Sequence, residues 1–452
     1  MSRLSVATVL PFAACGLPAV PLERQITHAP YGHVLTNINV WSPDSRWIIY
    51  DVRSADTVFS GTRIEQVEVA TGKTEVIYES KNGAACGVVT YHPHDWKVVF
   101  ILGPERPTAE WSYGTTRRRG VTVDVRPRGA AKPLDAMNYA PPFTPGALRG
   151  GSHVHVFSPD GGWVSNTYED EVLARLGPAS GDEGDRDFNQ RNIAVSVPAP
   201  RADGVGVARG HPRSHDGEFF SVVVTRTVNH PRPGSDEINR AYEEGWLVGG
   251  DGRRRLAFLG NVIARDGREH AEVFIADLPK DLTTAGGKPL EGTLTRRPAP
   301  PAGVVQRRLT FTEERRFRGA ATTPRHWVRA SPDGGQIAFL MKDDSGVVQL
   351  WTIASAGGAP RQVTREKTGI TSAFTWSPDG RWVAHMRDNQ VFLAELATGR
   401  AVALTPRSTD AAAPLSLACV FSPDGRSLAF MRNVRGEEGS FPQIFVVAVP
   451  LL

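Results

Sequence analysis

The chain has 452 residues, 40% of them hydrophobic and 22% charged, with a formal net charge of +4. This composition supports a continuous core and excludes a disordered or collagen-like chain. The basic clusters at 117–119, 253–255 and 315–316 are short and lack interleaved aromatics; they exclude a nucleic-acid surface but could attract an acidic carbohydrate.

Residues 1–22 read as an N-terminal extension or a weak export signal. Leu4 to Ala14 is apolar and is followed by Cys15, as at a lipoprotein cleavage site, but only Arg3 precedes the run and Pro11 interrupts it. Export would place the chain in the periplasm or make it a lipoprotein; without it the chain is cytoplasmic. No later apolar run is long enough to span a membrane. Cys86 and Cys419 sit in apolar strand patterns and are expected as buried thiols.

From residue 23 onward one pattern dominates. Ser-Pro-Asp begins at positions 42, 158, 331, 377 and 422, each time between two short apolar strands. Proline presets φ, the aspartate bonds back to the backbone, and the glycine that usually follows accepts a positive φ, so the motif is a hairpin turn. The spacings of 46 and 45 residues between the last three copies match the period of about 40–50 residues of a four-stranded propeller blade. A degenerate turn at His92 to Asp95 lies 50 residues after the first copy.

The interval of 173 residues between Ser158 and Ser331 is harder to divide. We assign Phe219 to Thr225, Arg255 to Gly260, Glu272 to Asp277 and Arg308 to Phe311 as the four strands of one blade. A polar insertion at about 229–252 then carries a short helix, Ile238 to Glu244, with Glu243 and Glu244 at its solvated end. The expected fold is all-β, a single β-propeller over residues 23–452 with seven four-stranded blades; counting Glu244 to Val248 as a separate first strand gives eight. The last blade lacks a fourth strand after Gln443 to Val447. Glu23 to Thr27 resembles the fourth-strand sequence Arg361 to Thr364 and is expected to close the ring by pairing with that blade.

Histidines gather near the innermost strands. His33 precedes blade one, His153 and His155 lie on the first strand of blade three, His211 lies in the connection into blade four, and His326 begins blade five. Side chains two apart on a regular strand share a face, so His153 and His155 are expected to share a metal, with His33 and His326 as further ligands. An all-imidazole set with an open position suits a divalent transition metal (Mn, Fe, Ni or Zn) better than Ca or Mg. His211 and Arg149 are the candidate base and carboxylate-binding residue.

The strings Leu35 to Asp44, Gly146 to Asp160, Gly234 to Trp246 and Pro324 to Val328 resemble those of the YidR-like family, bacterial proteins described as being of unknown function. The resemblance runs from about Gln25 to the C-terminus and implies a TolB-like propeller. His153-Val-His155 before Phe157-Ser-Pro-Asp160 is also distantly similar to oligogalacturonate lyase, whose family binds manganese through histidines at the central funnel. That likeness implies a metal-dependent carbohydrate-active enzyme, a β-eliminating lyase on a small acidic oligosaccharide. A non-catalytic propeller that binds a protein or glycan partner is the alternative. The sequence leaves the oligomeric state open.

Overall fold

A computed structural model describes residues 23–55, 57–177 and 186–450; the N-terminal extension lies outside them. Seven four-stranded antiparallel sheets follow one another along the chain, with a small parallel pair, Ala136–Met137 and Ala147–Leu148, between the second and third. The described residues include one short α-helix, Glu171–Arg175. None of their helices is long and apolar enough to cross a membrane.

Each blade starts at the channel with its first strand and works outward. The Ser-Pro-Asp motif turns the chain as expected. In all five copies the serine hydroxyl bonds the aspartate carboxylate within 2.6 Å. Ser45 fills the left-handed position of the first turn at φ 60°, where the other four copies have glycine at 70–76°.

Blades pack face to face, so their second strands are buried on both sides and read as apolar runs rather than alternations. Phe100, Phe258, Phe339 and Phe430 occupy the second strands of blades two, four, five and seven, each 0% exposed. Burying each such ring is worth roughly 1.5–3 kcal/mol relative to leaving it in water. Cys86 and Cys419 are also buried, and burial raises both thiols far above their usual range.

The ring closes as predicted. Arg24–Gln25 pairs antiparallel with the C-terminal strand, Arg24 opposite Val446 and Gln25 opposite Phe445. Ile26 donates its N–H to the Ile444 carbonyl at 2.8 Å, and Ile444 returns one to the Thr27 hydroxyl at 2.9 Å.

The long interval resolves differently from the sequence reading. Phe219–Val223 is the fourth strand of blade three, pairing with Asn192–Pro198. Blade four is Ala241–Val248, Arg254–Ile263, Glu269–Asp277 and Val305–Arg308. Residues 241–248, inside the expected insertion and overlapping the expected helix at 238–244, are therefore the innermost strand of blade four. The count stays at seven because the strand gained there replaces one returned to blade three. A 20-residue excursion between Pro198 and Phe219 had hidden the true end of blade three.

Candidate functional site

The first strands of blades two, three and four each break register near one mouth of the channel, between Gly87 and Thr90, His153 and Val156, and Tyr242 and Gly245. Inside these bulges Val88, Val154 and Glu243 adopt φ of 57°, 54° and 54°. A β-branched residue takes this left-handed conformation only under constraint, at a cost of about 1–3 kcal/mol. Neighbouring blades supply the constraint: Asp51 accepts the N–H of Val88 at 2.9 Å, and Val328 donates its N–H to the Glu243 carbonyl at 3.2 Å.

Bulges re-aim side chains, and here the effect decides the fate of the histidine pair. His153 is opposite Thr167 and Val156 is opposite Ser165. Three residues on one strand therefore span two on the other, so His153 and Val156 share a face and His155 falls on the opposite one. His153 lines the mouth. His155, 0% exposed, enters the interface with blade two. There a Cβ on Gly120 would stand 2.7 Å from its Nε2, so a larger residue would push the imidazole aside, and Asp135 Oδ2 lies 3.7 Å away.

The other expected ligands are dispersed as well. His33 is buried between the rings of Tyr31 and Tyr50, at 4.8 and 4.9 Å, and burial lowers its pKa to about 4. His326 is likewise buried and lowered to about 4; its Nε2 accepts the Leu340 N–H at 3.2 Å, which occupies that lone pair. Among the described residues no three His, Cys, Asp or Glu side chains come together as a metal site. Arg149 is fully buried and committed to Asp170, Nη2 to Oδ2 2.6 Å. His211 sits on the outer rim within blade three's last connection, against Trp111 at 5.1 Å and Tyr139 at 5.5 Å.

The mouth itself is a cavity of about 180 Å³ lined by Asn37, Val88, His153, Arg325, Trp327 and Leu417, among others, from blades one, two, three, five and seven. Phe59 and Tyr113, stacked at 4.4 Å, form one wall. Burial and then the charges of Arg118, Arg325 and Arg191 hold the His153 imidazole well below its usual pKa. The ring is therefore neutral at ordinary pH, and its Nδ1 has no hydrogen-bond partner among the described residues.

These arginines differ in what they already hold. Arg325 Nε contacts Glu243 at 2.8 Å and Arg191 contacts Glu169 at 2.7 Å. Arg118 is 7% exposed; its Nη1 donates to the Tyr113 hydroxyl at 3.2 Å, and no carboxylate pairs with it among the described residues. A buried guanidinium without a counterion is costly unless an anion arrives. Arg118 stands behind Tyr113 rather than in the mouth's lining; it borders a second hollow of about 200 Å³, with Arg117, Arg119, Arg213 and Trp111, between the rims of blades two and three. Tyr113 and Arg118 thus connect a cationic rim to the mouth.

The floor of the mouth is a bridge across the channel axis. Arg329 of blade five donates to the Asn37 side chain of blade one. Glu244 lies beneath it, 2% exposed. Neither Glu243 nor Glu244 is a solvated helix end; both belong to the inner strand of blade four. The sequence signal for this was the alternative reading of Glu244 to Val248 as a first strand, which the structure bears out as part of Ala241–Val248.

Comparison with known proteins places the chain by descent. It is 49% identical over 413 residues to "Uncharacterized protein YidR" of Escherichia coli (strain K12), covering 91% of this chain and 95% of that one. The chain belongs to the YidR family. Residues 85–215 match a family profile described as "Protein of unknown function (DUF3748)", and residues 351–437 match the dipeptidyl peptidase IV N-terminal region. Among solved structures, oligogalacturonate lyase from Vibrio parahaemolyticus aligns with a TM-score of 0.57 at 10% identity, over 96% of this YidR-family chain and 95% of the lyase. An oligogalacturonate lyase in complex with manganese aligns with a TM-score of 0.56 at 11% identity, over 95% and 94%. At such identities the likeness establishes a shared propeller fold. The dispersed histidines of the YidR-family chain do not fit a histidine-held manganese ion.

Proposed function

We propose that the channel mouth binds the carboxylate of an acidic oligosaccharide, and that His153 removes the proton from the carbon beside that carboxylate in a β-eliminating, lyase-type reaction. The observation that carries this reading is a neutral imidazole in the mouth, with Arg325 in the same lining and the guanidinium of Arg118, which no carboxylate pairs among the described residues, behind Tyr113. A carboxylate held by arginines makes the adjacent C–H more acidic, and an unprotonated histidine is able to take that proton. In a uronate the C5 proton would pass to His153, a C4–C5 double bond would form, and the C4–O bond would break, the departing oxygen taking a proton from solvent. Stacked Phe59 and Tyr113 and the Trp327 ring offer apolar faces to the sugar. The positive charge comes from arginine in this scheme, and no step is assigned to a metal. Arg149 and His211 take no part in it, the first held by Asp170 and the second placed on the rim.

The test uses oligogalacturonides and the ultraviolet absorbance of the unsaturated product. His153→Ala should abolish product while retaining binding measured by calorimetry. Arg118→Met should weaken binding about 10–100-fold, the loss of one charge-assisted contact worth about 1.5–3 kcal/mol. Binding without product, unchanged in the His153 variant, would replace the enzyme reading with that of a glycan-binding propeller. No binding at all would overturn both.

A further inference from the structure

The opposite end of the channel, on the side of the Ser-Pro-Asp turns, holds a larger cavity of about 420 Å³. Trp41, Trp246, Trp376 and Phe421 line its walls together with prolines of the turns. The indoles are fixed, not free to rearrange. Trp41 Nε1 donates to the Val420 carbonyl at 3.0 Å, Trp246 to Val156 at 2.9 Å and Trp376 to Arg329 at 3.0 Å, each reaching back to the preceding blade. The result is a rigid apolar funnel. The bridge from Arg329 to Asn37 lies between its inner end and the mouth.

The lining includes two polar groups that the protein leaves unsatisfied. Glu244 accepts one hydrogen bond on Oε2 from the Thr167 hydroxyl at 3.1 Å, while its Oε1 has no partner among the described residues. Ser165, 0% exposed, lines the same cavity with its hydroxyl also unpartnered. Arg329 does not neutralise the carboxylate by contact: its guanidinium reaches the Glu244 backbone carbonyl at 3.4 Å and the Asn37 side chain. Buried polar atoms are nearly always bonded, and a lone carboxylate oxygen in an aromatic funnel is complementary to a cation with an apolar body.

We propose that this funnel is a second ligand site, specific for a small organic amine, whose ammonium group bonds Glu244 Oε1 and the Ser165 hydroxyl while its hydrocarbon or aromatic body packs against the tryptophans. The site is independent of the mouth, since the arginine bridge divides the two cavities and different residues line them. Glu244 is raised to about 7, mainly by burial, with Glu243 adding to the shift and Arg329 opposing it. The carboxylate therefore becomes available as pH rises through neutrality.

Benzylamine and its neutral counterpart benzyl alcohol are the probes, titrated into the full chain by calorimetry or ligand-detected magnetic resonance. Benzylamine should bind at least about tenfold more tightly than the alcohol, the order of one charge-assisted contact, and its affinity should rise between about pH 6 and pH 8. Glu244→Gln should remove that preference, and His153→Ala should leave it unchanged. Equal binding of the two probes by the wild type, or none, would overturn the proposal without needing any variant. Failure of oligogalacturonide binding at the mouth would leave it standing.

Discussion

Glu244 should leave a mark on stability even with the funnel empty. The folded protein holds its carboxyl at about 7, against an ordinary value of 4.5. A raised carboxyl means that the folded chain keeps a proton the unfolded chain releases, so stability falls as pH rises from 4.5 and the loss is complete above about 7. At about 1.36 kcal/mol per pH unit over that window, the loss amounts to roughly 3 kcal/mol. For a ring of this size that corresponds to about 3–4 °C in Tm. Glu244→Gln removes the titrating group, so wild type and variant should match near pH 4.5 and diverge to about 3 kcal/mol by pH 8, the variant being the more stable. Urea unfolding followed by tryptophan fluorescence at several pH values measures the difference, in which the other titrating groups cancel. A difference independent of pH would refute the reasoning, because it would mean that the carboxyl is not desolvated.

Two further outcomes follow from the buried polar groups and the closure. Asp135 accepts hydrogen bonds from the hydroxyls of Ser152, Ser196 and Ser221 at 2.8–3.0 Å in a fully buried site. Asp135→Ala removes the acceptor of all three, leaving Ser152 without this partner and Ser196 and Ser221 with only each other at 2.9 Å, and should cost about 3 kcal/mol or more, read as a lower urea midpoint; a change under about 1 kcal/mol would mean that the site repacks. Deleting residues 1–27 removes Arg24–Gln25 and uncovers the edge of Gly439–Ala448, so the truncated chain should self-associate in light scattering. An unchanged hydrodynamic size and midpoint would count against the closing role.

The scaffold was legible because its determinants are local. Ser-Pro-Asp-Gly carries its own turn chemistry, and the closing strand resembles the fourth strands elsewhere in the chain. Blade four was misdivided because long excursions within blades three and four erase the period, leaving Phe219–Val223 nearer in sequence to the wrong blade. The site was less legible, since it depends on neighbours. The left-handed Val154 that separates His153 from His155 is held by packing that no local pattern announces. Glu243, Glu244 and Arg118 look like solvent-facing charge in one dimension, and only the ring buries them.

The pairing of Arg24 with Val446 also imposes an order on folding. On the ribosome the first of the described strands to emerge is the last of them to find its partner, after more than four hundred residues have been made. Six blades can stack while the seventh waits, and each intermediate carries two unpaired faces. Topology of this kind makes closure the slow step, so one two-residue strand decides when the molecule stops being an open arc and acquires a channel with two ends.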